Sequence, residues 1–145
     1  MSDDRISNRK VCIIDSGYDI THPDLQNDFV SGSGVNPWDE DECGHGTHVA
    51  GTIAAVAGNG GILGAVRSGN MNLHIVRTFT GIECSWTWGS SLIAAMYECI
   101  VAGSNIINLS LGYKEDTEYE KEAFDNIFNN RNVLLIGKCM SVPVG

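Results

Sequence analysis

The chain has 145 residues, 43% of them hydrophobic and 19% charged, with a formal net charge of −9. This size and balance suit one globular domain with a real core, and the acidity argues against a nucleic-acid binder, which needs a basic footprint. No apolar run approaches the ~20 residues that cross a bilayer, and the opening Met1-Ser2-Asp3-Asp4-Arg5 lacks the basic and apolar regions of a secretory signal.

Val11-Cys12-Ile13-Ile14 is a short continuous apolar run, the pattern of a strand buried on both faces. Asp15-Ser16-Gly17 ends it. Residues 16–44 scatter Gly, Pro, Asn and Asp and read as loop, with the acidic run Asp39-Glu40-Asp41-Glu42 inside it. His45 to Val56 reads as a helix whose small residues, Gly46, Ala50, Gly51, Ala54 and Ala55, let neighbours approach closely. The glycines between Gly58 and Gly61 stop it. Leu73 to Val76 reads as a second strand. Ser90 to Ala102 carries Leu92, Ile93, Met96, Tyr97, Ile100 and Val101 at helical spacing, with Gly103 as its stop. Ile106 to Leu109 is a third strand, Thr117 to Asn130 a third helix, and Val133 to Ile136 a fourth strand. Short apolar strands alternating with helices imply an α/β fold, a mostly parallel sheet with helices on both faces. In such sheets functional groups collect at the carboxyl ends of strands, where Asp15 and Ser110-Leu111-Gly112 both fall.

Five cysteines, Cys12, Cys43, Cys84, Cys99 and Cys139, form no C-x-x-C pair and match no zinc spacing. An odd count fits a disulfide framework poorly, so they read as buried free thiols with one or two bridges among them. His45 and His48 are three residues apart with Gly46-Thr47 between, not the i, i+4 pair with an intervening Glu that binds zinc; His48 reads as a structural helix residue. Gly58-Asn59-Gly60-Gly61 follows a helix rather than a strand and has Leu63 where a dinucleotide fingerprint needs glycine. The acidic run reads as a solvated loop, with a preference for basic substrate residues as its functional version.

Two segments carry chemistry together: Val11-Cys12-Ile13-Ile14-Asp15-Ser16-Gly17 followed by His22-Pro23-Asp24-Leu25, and Gly44-His45-Gly46-Thr47-His48-Val49-Ala50-Gly51-Thr52. A serine hydroxyl is a poor nucleophile until a base takes its proton. A carboxylate that fixes the base's tautomer and stabilises the imidazolium completes the device. A buried strand end holds the carboxylate rigidly, and a helix start beside glycine leaves an imidazole room. Alone, such an Asp is more often a turn residue and such a His a packed or surface one. In this order, with Ile107-Asn108-Leu109-Ser110-Leu111-Gly112 behind them, they resemble the Asp, His and substrate-binding segments of the subtilisin-like serine peptidases.

The resemblance spans residues 11–136 most strongly and implies that residues 1–145 form part of a three-layer subtilisin-like peptidase domain. It makes Asp15 the orienting carboxylate, His45 the general base, and Ser110, Leu111 and Gly112 a strand that pairs with substrate backbone. Asp24 matches a calcium ligand of many members, although the loop's usual Asn position is taken by Gly58. The chemistry needs no cofactor; calcium would be structural. The family's serine follows the His by roughly 160 residues, which lies past Gly145, and the Asn that donates to the oxyanion has no counterpart where Ile136 is followed by Gly137-Lys138-Cys139-Met140. Asp and His without nucleophile or oxyanion donor would hydrolyse peptides negligibly. The resemblance therefore implies a serine endopeptidase truncated before its serine, a secreted monomer with protein or peptide substrates and neither membrane nor nucleic-acid partners. The alternative is an inactive peptide-binding fragment or pseudoenzyme.

Overall fold

A computed structural model describes residues 8–66, 71–86, 92–110 and 118–137. Strand β1 (Lys10–Asp15) is followed by β2 (Val30–Ser33), helix α1 (His45–Ala54), β3 (Asn72–Arg77), the short strands β4 (Phe79–Thr80) and β5 (Ser85–Trp86), α2 (Leu92–Val101), β6 (Ile106–Leu109), α3 (Glu118–Asn130) and β7 (Leu134–Gly137). Five strands form one parallel sheet in the order β2-β3-β1-β6-β7. The architecture is the expected α/β one. β1 lies at its centre, with the chain running to β3 on one side and to β6 and β7 on the other, so its carboxyl end is the place where such sheets build sites.

Alternation along β1 sends successive side chains to opposite faces. Val11 and Ile13 join Leu73 and Ile75 of β3 under Tyr18, Leu25 and the α1 residues Ala50 and Ala54. Cys12 and Ile14 join Val76, Ile107 and Leu109 under Leu92, Ile93, Met96 and Cys99 of α2 and Ile127 of α3. The sheet is thus covered on both faces.

Strands β2, β4 and β5 and the end of α1 differ from the sequence reading. β2 lies inside the expected loop 16–44; its residues, Val-Ser-Gly-Ser, have little strand propensity, and pairing with β3 makes the strand. Gly32 is needed there because a Cβ would stand 2.1 Å from Cγ of Trp38. The antiparallel pair β4–β5 was likewise not expected. Helix α1 stops two residues early, because Ala55 turns extended and the Val56 amide donates to the carbonyl of Asp24 (2.8 Å).

The cysteines form two bridges, Cys12–Cys99 joining β1 to α2 and Cys43–Cys84 joining the segment before α1 to the β4–β5 turn. Cys139 lies outside the described residues. No helix among the described residues is long and apolar enough to cross a membrane.

Candidate active site

Asp15 closes β1 with a side chain only 1% exposed, whereas the ring of His45, first residue of α1, is 48% exposed. The two sequence-predicted residues meet: Nδ1 of His45 lies 2.7 Å from Oδ1 of Asp15. An ionised carboxylate only accepts, so Nδ1 carries the proton and Nε2 is left as the acceptor. That is the tautomer a general base requires. Oδ1 also receives the Ser16 amide at 2.7 Å. Oδ2 is buried without a hydrogen-bond partner among the described residues.

Close packing sets this geometry. At Gly46 a Cβ would stand 2.3 Å from the Gly17 carbonyl oxygen and 3.2 Å from Cβ of Asp15. Only glycine lets α1 come down onto the loop after β1. The Gly46 amide donates to Oγ of Ser16 (2.9 Å) and the Asp19 amide to Oγ1 of Thr47 (3.0 Å), so helix and loop are bonded at two levels.

The acidic run is built into this framework and is not simply a solvated loop. Oδ1 of Asp41 accepts from the Gly44 amide (2.9 Å), and Oδ2 accepts from the amide (2.8 Å) and hydroxyl (2.5 Å) of Thr47. Burial alone would push the Asp41 carboxyl up, but the bonds from Thr47, Ser16 and Gly44 outweigh it and hold the group below its ordinary value. Glu42 accepts from Arg77 (3.3 Å) and from the Gly81 amide (2.7 Å), and Glu40 lies 3.6 Å from the same guanidinium. Arg77 is 4% exposed and also donates to the carbonyls of Pro37 and Phe79. These contacts use charges that the sequence reading had left to solvent. The sequence carries no signal for them: the N-cap position is Gly44, three residues after Asp41, and Arg77 is distant along the chain.

Ser110 follows β6. Continuing the β1–β6 register, in which Ile13 is opposite Asn108, brings Ser110 level with Asp15. Its Oγ accepts from the Asn108 side chain (2.8 Å). Leu111 and Gly112 lie outside the described residues.

Asp24 is 7% exposed and distant in role from the pair. Its Oδ2 accepts from the Ile62 amide (2.9 Å), and its Oδ1 is buried with no hydrogen-bond partner among the described residues. The loop over it needs Gly61, where a Cβ would stand 2.2 Å from Oδ1. A buried carboxylate oxygen facing a glycine loop fits a hard cation that takes carboxylate and carbonyl oxygens. No group of three or more His, Cys, Asp or Glu side chains that could hold a metal occurs among the described residues. His48 projects from α1 as an exposed residue beside this region and does not pair with His45.

The profile of the subtilase family matches residues 7–136. The chain is 38% identical over 138 residues to the major intracellular serine protease of Bacillus subtilis (strain 168), covering 85% of this chain and 40% of that protein. It is 41% identical over 110 residues to subtilisin E of the same organism, covering 73% of this chain and 27% of the relative. It therefore spans less than half the length of either. Among solved structures it resembles the psychrophilic subtilisin-like protease Apa1 of Pseudoalteromonas sp. AS-11, with TM-score 0.81 and 43% identity over 90% of this chain and 30% of that one. The protease domain of PatA shares the fold, with TM-score 0.74 at 24% identity over 94% of this chain and 52% of that one.

Proposed function

The chain belongs to the subtilase family, and on that premise we propose that the protein is a serine endopeptidase in which Asp15 and His45 are two members of the triad. The observation that carries this is the 2.7 Å bond from His45 Nδ1 to a buried Asp15 carboxylate, with the rest of the ring half exposed. His45 Nε2 takes the proton of a serine supplied from outside residues 1–145 and returns it to the leaving amine. Asp15 holds the ring and stabilises the imidazolium. Ser110 to Gly112 hold the extended substrate, a protein or peptide, by strand pairing. The protein acts as a monomer, without nucleic acid. Asp24 and carbonyls of the loop 58–62 hold a structural calcium, which braces the end of α1 and supplies no chemistry. Two disulfides suit an oxidising compartment, which supports an extracellular setting even though two relatives are named intracellular serine proteases.

The test is hydrolysis of a fluorogenic peptide by the protein expressed with whatever coding sequence follows Gly145, alongside its His45→Ala variant. Turnover that His45→Ala abolishes supports the reading. Peptide binding without turnover in the parent would replace it with a peptide-binding role.

A further inference from the structure

Helix α1 starts in a way that leaves His45 without local support. Gly44, the residue before it, has φ of 79° and offers no side chain to cap the helix. The first amides of a helix have no partner within it and need one from elsewhere. Here the Gly46 amide goes to Ser16 and the Thr47 amide to Asp41. Asp41 stands three residues before Gly44, yet its carboxylate takes the Gly44 amide on one oxygen and both Thr47 donors on the other. Ser16, whose hydroxyl takes the Gly46 amide, has its own amide on Asp15 Oδ1. Thr47 Oγ1 in turn accepts from the Asp19 amide, so the network returns to the loop after β1.

One side chain therefore grips Gly44 and Thr47 on either side of His45 and, through Thr47 Oγ1, ties that helix start to Asp19 in the loop after Asp15. We propose that Asp41 is a positioning residue that holds the His45 ring against Asp15. This rests on the reading of Asp15 and His45 as a working pair. Asp41 touches neither reacting atom; it fixes the angle between helix start and strand end on which the 2.7 Å bond depends. Glu42, two residues from Gly44, serves instead as a control, since its contacts go to Arg77 and Gly81.

The experiment is proton NMR of the chain labelled with 15N-histidine, following the low-field Nδ1–H resonance of His45 and its exchange with water in the parent, Asp41→Ala, Asp41→Asn and Glu42→Gln. Loss of a helix cap should raise that exchange roughly tenfold in Asp41→Ala. Asp41→Asn, which keeps one accepting oxygen, should fall between, and Glu42→Gln should match the parent. A folded Asp41→Ala with the parent's exchange rate overturns the proposal. Should that variant not fold, an Asp41→Asn rate equal to the parent's overturns it equally. A signal present but indifferent to Asp41 leaves the Asp15–His45 pair standing; absence of the signal from the parent would sink the pair itself.

Discussion

On the α1 face of the sheet, helix and strand meet through small residues and short polar bonds. On the α2 face they meet through bulky apolar side chains and a disulfide. Both faces use the same strand: Val11, Ile13 and Asp15 serve the first, and Cys12 and Ile14 the second. The first face has Gly46 pressed onto Gly17 and a carboxylate at the helix start. The second buries Leu92, Ile93, Met96 and Ile127 and ties Cys12 to Cys99. Directional bonds fix an angle closely but add little net free energy each, about 1 kcal/mol. Apolar area and cross-links add stability without fixing any one ring. The protein separates the two tasks by the alternation of one strand.

The sharpest way to break the comparison is to remove one residue from each face. In the active protein, His45→Ala should lower kcat for peptide hydrolysis by ~10⁴-fold or more. It should scarcely shift the thermal midpoint, because half the ring is already exposed. Ile14→Ala, on the other face and fully buried, should do the reverse. A loss of ~2–5 kcal/mol in urea unfolding is expected, with kcat per folded molecule nearly unchanged. Equal effects of both variants on both readouts would show that the faces are not separate.

The bridges give a second contrast. Cys12–Cys99 closes 87 residues and Cys43–Cys84 closes 41. Chain entropy assigns each about 4 kcal/mol, since the dependence on loop length is only logarithmic. Access separates them: Cys12 and Cys99 are fully buried, and Cys43 and Cys84 are partly exposed. Mild reductant under native conditions should open Cys43–Cys84 first, read by mass spectrometry of alkylated thiols. Early labelling of Cys12 would contradict the packing of the α2 face.

A third, smaller contrast lies within α1. Gly46→Ala should destabilise by ~1–3 kcal/mol, because backbone atoms, not flexible side chains, occupy the place of its Cβ. At Gly51 a Cβ would meet only Ile62 Cδ1 at 3.6 Å and Leu25 Cδ2 at 3.9 Å. Gly51→Ala should therefore be neutral or gain up to ~0.8 kcal/mol from helix propensity. Both can be measured by thermal unfolding.

How far the sequence could be read follows the same division. The α2 face was legible as period and hydrophobicity: Leu92, Ile93 and Met96 at helical spacing are in the core. Asp15 and His45 were legible as motif, and the structure brings them together. The Gly46 contact was anticipated only as small size. β2 was missed because pairing with β3, not the propensity of Val-Ser-Gly-Ser, makes it a strand. The work of Glu40, Asp41 and Glu42 escapes the sequence for a related reason. Nothing in a run of four acids tells which carboxylate faces a helix start and which faces a buried arginine; that depends on Arg77, 35 residues from Glu42. The disulfide partners were illegible too, since pairing is a property of the folded chain.

The smallest expected effect, and the most discriminating, is on pH. His74 of β3 is buried on the β2–α2 side, with Nδ1 3.0 Å from Ser31 Oγ and Nε2 3.0 Å from Ser33 Oγ. Ser33 donates onward to the Glu98 carboxylate, so Nε2 is the donor to Ser33 and Nδ1 accepts from Ser31. The neutral ring is thereby satisfied at both ends. Burial first, then the charge of Lys10, hold its pKa below the ordinary 6.5, against the opposing pull of Glu98. The unfolded chain therefore binds the proton more readily, and stability must fall as pH drops below about 6.5. Asp41 behaves differently. Its folded pKa is also lowered, but it is a carboxyl, so its contribution is complete above the unfolded value of 3.8 and is lost only as pH falls through the still lower folded one. Acid should thus weaken the β2–α2 contact somewhere below pH 6.5 while the Asp41 clamp persists to below pH 4. Thermal midpoints at pH 7.5 and 5.5 should show a drop that His74→Gln flattens and Asp41→Asn does not. If Asp41→Asn removes that drop and His74→Gln leaves it, the assignment of the two pH windows to the two faces is wrong.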